Sequence, residues 1–210
     1  MAVSRVDAVI FDMDDVLIDY DFSARLRYLA DLCGYDSAEI ERRIFASGFD
    51  ERADRGELDG PAYLAEFGER LGIEIALDDW IAARRQAMRP REAVWALVRR
   101  VGMPRAMLTN NGPLLRDALP ALFPSLVALF PGQVHFSCDL PAAKPESGAF
   151  LAVCRALGTA PDRTAFIDDT PDYVVGARNT GLIAHRYRDV PTLAGFLGDV
   201  GVLRSGDEAG

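Results

Sequence analysis

From residue 90 onward the chain alternates short apolar runs with stretches of helical periodicity, and that alternation most limits what it can fold into. The runs are Arg105-Ala106-Met107-Leu108, Val134-His135-Phe136, Thr164-Ala165-Phe166-Ile167 and Ile183-Ala184-His185; a fifth, Ala8-Val9-Ile10-Phe11, stands near the start. The helical stretches carry their own punctuation. "PREAVWALVRRVG" starts with Pro90 and stops at Gly102, and "PESGAFLAVCRALG" starts with Pro145 and stops at Gly158. "TPDYVVGARNTG" offers Thr170 as N-cap, Pro171 at the first helical position and Gly181 after the end. Near-continuous apolar strands separated by helices predict an α/β core, with a parallel sheet covered on both faces.

Residues 20–88 read differently. They hold no convincing strand, and their apolar residues recur at helical spacing, as in "RLRYLADLCGY" and "YLAEFGERLGI". Turn signals at Gly34, Gly48, "RGELDG" and Gly72 cut the stretch into four or five helices. The expected organisation is an α/β core from 1–19 and 89–203, an inserted helical module at 20–88, and a loose tail at 204–210.

Bulk properties restrict the partners. Half of the 210 residues are hydrophobic, enough for one sizeable core plus a small module, and the formal net charge is -9. Such an acidic surface argues against nucleic acid and anionic membrane, and makes any anionic substrate depend on a local positive site. No run approaches transmembrane length, and the start of the chain lacks the apolar stretch of a signal peptide. Cys33, Cys138 and Cys154 are widely spaced and suit a reducing compartment. The expectation is a cytoplasmic protein, monomer or homodimer.

Three strands end in polar residues of unusual type. The first runs into Asp12 and Asp14, the second into Thr109, Asn110 and Asn111, a later one into Asp168 and Asp169. Parallel strands bring these ends to one rim, where α/β sheets bind ligands. Four carboxylates crowded there call for a cation, and hard oxygen donors with room for water suit Mg²⁺. Lys144 adds a second clue. It precedes Pro145, where a helix is expected to begin, and the helix dipole disfavours a cation there by about 0.3–1 kcal/mol. An anion held between the ammonium, Thr109 and the backbone N–H groups of the Thr109-Asn110 loop would resolve the misfit.

Taken together, "FDMDDVLID", "MLTN", "AKPES" and "FIDDTPD" resemble, in order and spacing, the four motifs of the haloacid dehalogenase-like superfamily. The likeness is to its phosphatase branch, with a helical cap inserted after the first motif. It covers nearly the whole chain. The position after Asp14, usually Gly in that family, is Asp15 here. The resemblance implies a Rossmann-like parallel core with a helical cap, and Mg²⁺-dependent hydrolysis of a small phosphorylated metabolite, a sugar phosphate being one candidate. It assigns Asp12 as nucleophile, forming an aspartyl-phosphate, and Asp14 as general acid and base. Asp12, the main-chain carbonyl of Asp14, and Asp169 would hold the metal, with Asp168 assisting directly or through water. Thr109, the Asn110 amide and Lys144 would neutralise the phosphoryl oxygens.

The residues leave alternatives open. A phosphosugar mutase would share the nucleophile, and a non-catalytic metabolite-binding module would share the fold. A dehalogenase would need neither the acid at 14 nor a metal. Asp15 and Asp19 read as turn and hinge residues, Asn111 and Gly112 as loop formers. His135, His185, Trp80 and Trp95 read as core residues, while Arg52 and Arg55 read as a solvated surface unless one reaches a leaving group.

Overall fold

In a computed structural model, described over residues 6–204, the first strand lies at the centre of a five-stranded parallel sheet. Strand β1 is Ala8–Phe11; β2 (Ile18–Tyr20) follows at once. Then come five helices: α1 Phe22–Cys33, α2 Ser37–Arg43, α3 Phe49–Asp54, α4 Gly60–Leu71 and α5 Leu77–Ala87. Strand β3 (Met88–Pro90) leads into α6 (Glu92–Arg100), β4 (Arg105–Thr109), α7 (Pro113–Leu122), the short α8 (Pro124–Val127) and β5 (Val134–Phe136). The rest is α9 (Ser147–Leu157), β6 (Thr164–Asp168), α10 (Pro171–Asn179), β7 (Ile183–Arg186) and α11 (Val190–Asp199).

The sheet order is β5-β4-β1-β6-β7, every pair parallel. All four residues of β1 are fully buried, so its continuous apolar run is what a strand covered on both faces requires. Val9 and Phe11 face one layer, with Phe130 and Trp95. Ile10 faces the other, with Phe150, Val153, Phe166 and Val174. Each such buried aliphatic or aromatic side chain contributes about 1.5–3 kcal/mol.

The five helices between β2 and β3 form a bundle around Leu29, Ile40, Phe49, Phe67 and Trp80. Local chemistry sets their ends. Asp21, Asp36 and Asp59 cap α1, α2 and α4 by accepting from Ala24, Glu39 and Ala62 N–H at 2.8–2.9 Å. Gly34 and Gly72 close α1 and α4 with left-handed backbone. The bundle joins the sheet through an antiparallel ribbon in which Asp19 sits opposite Arg89.

Two expected helix starts are displaced. Pro90 belongs to β3, and α6 begins at Glu92. Pro is tolerated in so short an edge ribbon because little of its ladder is needed. Likewise α9 begins at Ser147 with Glu146 at its N-cap, so Lys144 lies ahead of the helix rather than at its mouth. The dipole argument for Lys144 therefore fails, and its role must rest on what it touches. Thr170 does flank α10, though its side chain makes no capping bond. Of the tail expected at 204–210, Arg204 is described and donates its N–H to Arg100 O at 2.9 Å; 205–210 lie outside the described residues. No described helix is long and apolar enough to cross a membrane.

Candidate active site

The carboxyl ends of β1, β4 and β6 are neighbours in the sheet, so the residues just after them meet. Asp12 continues β1, its N–H donating to Ile167 O at 2.9 Å, which fixes its side chain at the rim. Between Asp12 and β2 the chain makes a tight turn: Met13 O accepts from Leu17 and Ile18 N–H at 2.8 and 2.9 Å. Asp15 takes the left-handed conformation in that turn (φ 59°) that glycine would adopt freely. Its Oδ1 accepts from Tyr20 N–H at 3.3 Å, a local bond that favours the strained backbone, and from the distant Arg91 at 3.4 Å. Trp95, buried as expected, donates its indole N–H to Leu17 O at 2.7 Å and holds the same turn.

A cavity of about 190 Å³ opens there. Asp12, Asp14, Thr109, Asn110, Lys144 and Asp169 all line it, with Asp15, Thr170 and Tyr173. Asp168 stands behind, fully buried. The Lys144 ammonium, also buried, donates to Asp12 Oδ1 at 2.5 Å and to Asp168 Oδ2 at 2.7 Å. Burial opposes its charge, but the two carboxylates outweigh that and raise its pKa. The Asn110 side chain clamps the lysine from behind. Its amide nitrogen donates to Lys144 O at 2.8 Å and its oxygen accepts from Lys144 N–H at 3.0 Å. Tyr173 places its ring 4.8 Å from the ammonium. Asp168 Oδ1 accepts from Thr170 N–H at 2.9 Å, orienting the loop that carries Asp169.

Asp12, Asp168 and Asp169 can each offer one carboxylate oxygen within 4.8 Å of the others. Burial holds the Asp12 carboxyl well above its ordinary pKa; Lys144 opposes this and Asp168 adds to it. Burial and the neighbouring Asp168 and Asp15 raise Asp169 as well. Three hard oxygen donors in mutual repulsion fit a divalent cation, which would relieve the strain of their charge. The carboxylate of Asp14 points elsewhere. Its Oδ2 accepts from Asn111 at 3.0 Å and faces Arg84 at 3.4 Å, while its Oδ1 is buried with no hydrogen-bond partner among the described residues.

Several residues here escaped the sequence reading. Arg84, from α5, reaches Asn111 Oδ1 at 2.9 Å and Tyr20 Oη at 3.1 Å, and Arg25, from α1, shares that phenol at 3.2 Å. Both arginines are buried. Arg52 and Arg55 bind Glu66 and Glu146 at 3.1 and 2.7 Å and stay exposed, so neither reaches inward. Asn111 is more than a loop former, since its amide also donates to Thr109 Oγ1 at 2.7 Å. The signal for the inward arginines was in the sequence. Arg25 and Arg84 stand on the apolar stripes of their helices, beside Leu26 and Leu29, and beside Trp80, Ala83 and Ala87. His135, bonded to Gln133 at 2.9 Å, and His185, stacked on Phe196 at 4.6 Å, stand apart from the site. The three cysteines are free thiols; Cys154 is buried, Cys33 and Cys138 half-buried.

Comparison with known proteins gives consistent results. The pattern of the haloacid dehalogenase-like hydrolases matches residues 6–181. A protein of Mycobacterium tuberculosis named as a phosphatase is 31% identical over 189 residues, 86% of each chain. A phosphoglycolate phosphatase of Chromobacterium violaceum is 26% identical, covering 94% of this chain and 93% of its own. A haloacid dehalogenase-like enzyme of Bacteroides thetaiotaomicron, crystallised with magnesium and inorganic phosphate, superposes with a TM-score of 0.75. It is 20% identical and covers 87% of this chain and 94% of its own, a likeness of fold.

Proposed function

This chain belongs to the haloacid dehalogenase-like hydrolase family, and on that premise we propose that it is a Mg²⁺-dependent phosphatase of small phosphorylated metabolites. The observation that carries the reading is the shared wall of Asp12, Lys144 and three strand ends around one cavity beside an acid, Asp14, held apart from the cation donors. Relatives named as phosphatases support it.

Asp12 attacks phosphorus, and its Oδ1 is oriented for this by Lys144. The P–O bond to the leaving group breaks, and the phosphoryl group passes to Asp12 as an aspartyl-phosphate. Asp14 gives a proton to the departing oxygen, then takes one from the water that cleaves the intermediate, work on the order of 10²–10⁴-fold in rate. Held by Asp12, Asp169, the main-chain carbonyl of Asp14 and, directly or through water, Asp168, Mg²⁺ would offset the charge of the phosphoryl oxygens. Lys144, Thr109 and backbone N–H groups at Asn110 complete that neutralisation from the chain itself. Closure of the helical module over the rim would exclude water from the reacting centre.

The test is Asp12→Asn. It keeps the side chain's shape, so folding by circular dichroism should be unchanged, while phosphate release from any phosphomonoester with Mg²⁺ should fall to background. Appreciable residual turnover would remove Asp12 from the nucleophile role. A wild-type protein inactive on every ester would remove the phosphatase reading.

A further inference from the structure

Asn111, two residues beyond β4, is buried among three groups of the site and spends its amide on all of them. Its nitrogen donates to Thr109 Oγ1 at 2.7 Å and to Asp14 Oδ2 at 3.0 Å, and its oxygen accepts from the Arg84 guanidinium at 2.9 Å. One side chain thus joins the residue set against the phosphoryl oxygens, the acid and base, and the helical module, since Arg84 belongs to α5.

The direction of each bond follows from what the partners can do. An amide can turn over, exchanging oxygen and nitrogen, unless its neighbours discriminate. Arg84 has only donors, so it demands the oxygen. The Asp14 carboxylate accepts, so it demands the nitrogen. With the amide fixed, the other N–H falls on Thr109, whose hydroxyl then accepts. The hydroxyl's own hydrogen is left to donate into the cavity that Thr109 lines, which is what a phosphoryl oxygen requires. With the amide reversed, that hydrogen would go to the Asn111 oxygen instead, and Asp14 would face an oxygen. Arg84 is itself held in place. Tyr20 Oη accepts from it at 3.1 Å, the Tyr20 ring lies 4.7 Å from its guanidinium, and Arg25 shares the phenol at 3.2 Å. Packing alone would be served as well by an apolar side chain at position 84. Here one terminal nitrogen of the guanidinium serves both Asn111 and, at 3.4 Å, Asp14.

We propose that Asn111 and Arg84 are positioning residues for phosphoryl transfer. Arg84 fixes the amide of Asn111, and that amide turns the Thr109 hydroxyl towards the phosphoryl group and holds the Asp14 carboxylate in place. This deepens the phosphatase reading and rests on it. Both residues act through Thr109 and Asp14 rather than on the reacting atoms.

The experiment measures kcat and KM, with Mg²⁺, for p-nitrophenyl phosphate and phenyl phosphate, esters of similar shape whose leaving groups differ in their need for a proton. Wild type is compared with Asn111→Leu, Arg84→Met and the two combined, each checked for folding by circular dichroism. Asn111→Asp is a second variant at that position: it keeps the shape and the acceptor for Arg84 but has no N–H to give. Both Asn111 variants and Arg84→Met should lower kcat on the nitrophenyl ester by about tenfold, the effect of one good hydrogen bond, with KM changed less. Phenyl phosphate should lose several-fold more, because Asp14 is no longer held. The combined variant should lose little more than Asn111→Leu alone, since Arg84 acts through the amide. A merely structural role would lower both esters in proportion, through the share of folded enzyme, and leave their ratio unmoved. Where the protein turns over only alkyl esters, the split between kcat and KM and the coupling of the pair carry the test on the best of them. Unchanged kcat in both Asn111 variants, an unmoved ratio of the two aryl esters, or losses that multiply in the combined variant would overturn the assignment while leaving a working phosphatase. A wild-type protein inactive on every ester, alkyl or aryl, would sink the phosphatase reading and the assignment with it.

Discussion

At the scale of the residue, Asp54 carries a consequence that needs no substrate. Burial raises its pKa to about 7, Asp50 and Asp14 add repulsion, and Arg84 and Arg25 only partly offset it. In the unfolded chain an Asp titrates near 3.8. Between those values the folded protein binds the proton more tightly than the unfolded one. The stability this contributes is full below about pH 4 and is lost as pH rises through about 7. Asp54→Asn removes that dependence. In urea denaturation from pH 4.5 to 8, the variant should gain on the wild type with rising pH and level off above 7. Other acids titrate alike in both proteins and cancel in the difference. A difference independent of pH would mean that Asp54 stays ionised throughout. The site itself was partly legible at this scale. Asp12, Thr109 and Asp169 stood out because polar residues directly after apolar strands have few structural uses; Lys144 stood out through a helix start that the fold displaces. Arg25, Arg84 and Asp54 did not, because a charged residue on a helix is read as solvated unless its place on the apolar stripe is weighed.

At the scale of the element, the loop after α3 packs closely against the turn that follows β5. Ser137 Oγ donates to Asp54 O at 2.6 Å. A β-carbon on Gly56, at φ 73°, would stand 2.4 Å from Cys138 O. Gly34 has almost the same backbone, φ 76°, with nothing near its missing β-carbon. The pair separates backbone strain from steric clash. Gly34→Ala should cost about 1 kcal/mol, the left-handed penalty alone. Gly56→Ala should cost more, about 2–4 kcal/mol, and should loosen the module from the sheet. Equal losses in chemical denaturation would show that the Cys138 carbonyl yields without cost. Elements were legible where they were long or fully buried. Strand β1 and the stop of α9 at Gly158 fall where the pattern put them. The ribbon of β2 and β3 was missed because three residues, one of them Pro90, leave too little alternation to see. Pro90 and Pro145 misled for a related reason: proline marks a break in the chain, and a helix begins at that break only when the following residues close its first turn.

At the scale of the whole molecule, the fold gathers acids from β1 and β6, more than 150 residues apart in the chain, and leaves them in mutual repulsion. Lys144 neutralises one charge of that cluster, since its ammonium is shared between Asp12 and Asp168. Asp169 lies beyond its hydrogen bonds, and a cation would offset its charge. Binding that favours only the folded state stabilises the whole chain by mass action, about 2.7 kcal/mol at a hundredfold excess over Kd. For a protein of this size that is a rise in Tm of roughly 5–10 °C. Millimolar Mg²⁺ should therefore raise Tm in calorimetry, EDTA should reverse the rise, and Asp169→Asn should abolish most of it. The substitution also relieves repulsion, so the variant without metal should melt no lower than the wild type without metal. This separates loss of the ion from general damage. A variant that kept the full Mg²⁺ response would place the cation elsewhere, and with it the chemistry ascribed to the rim.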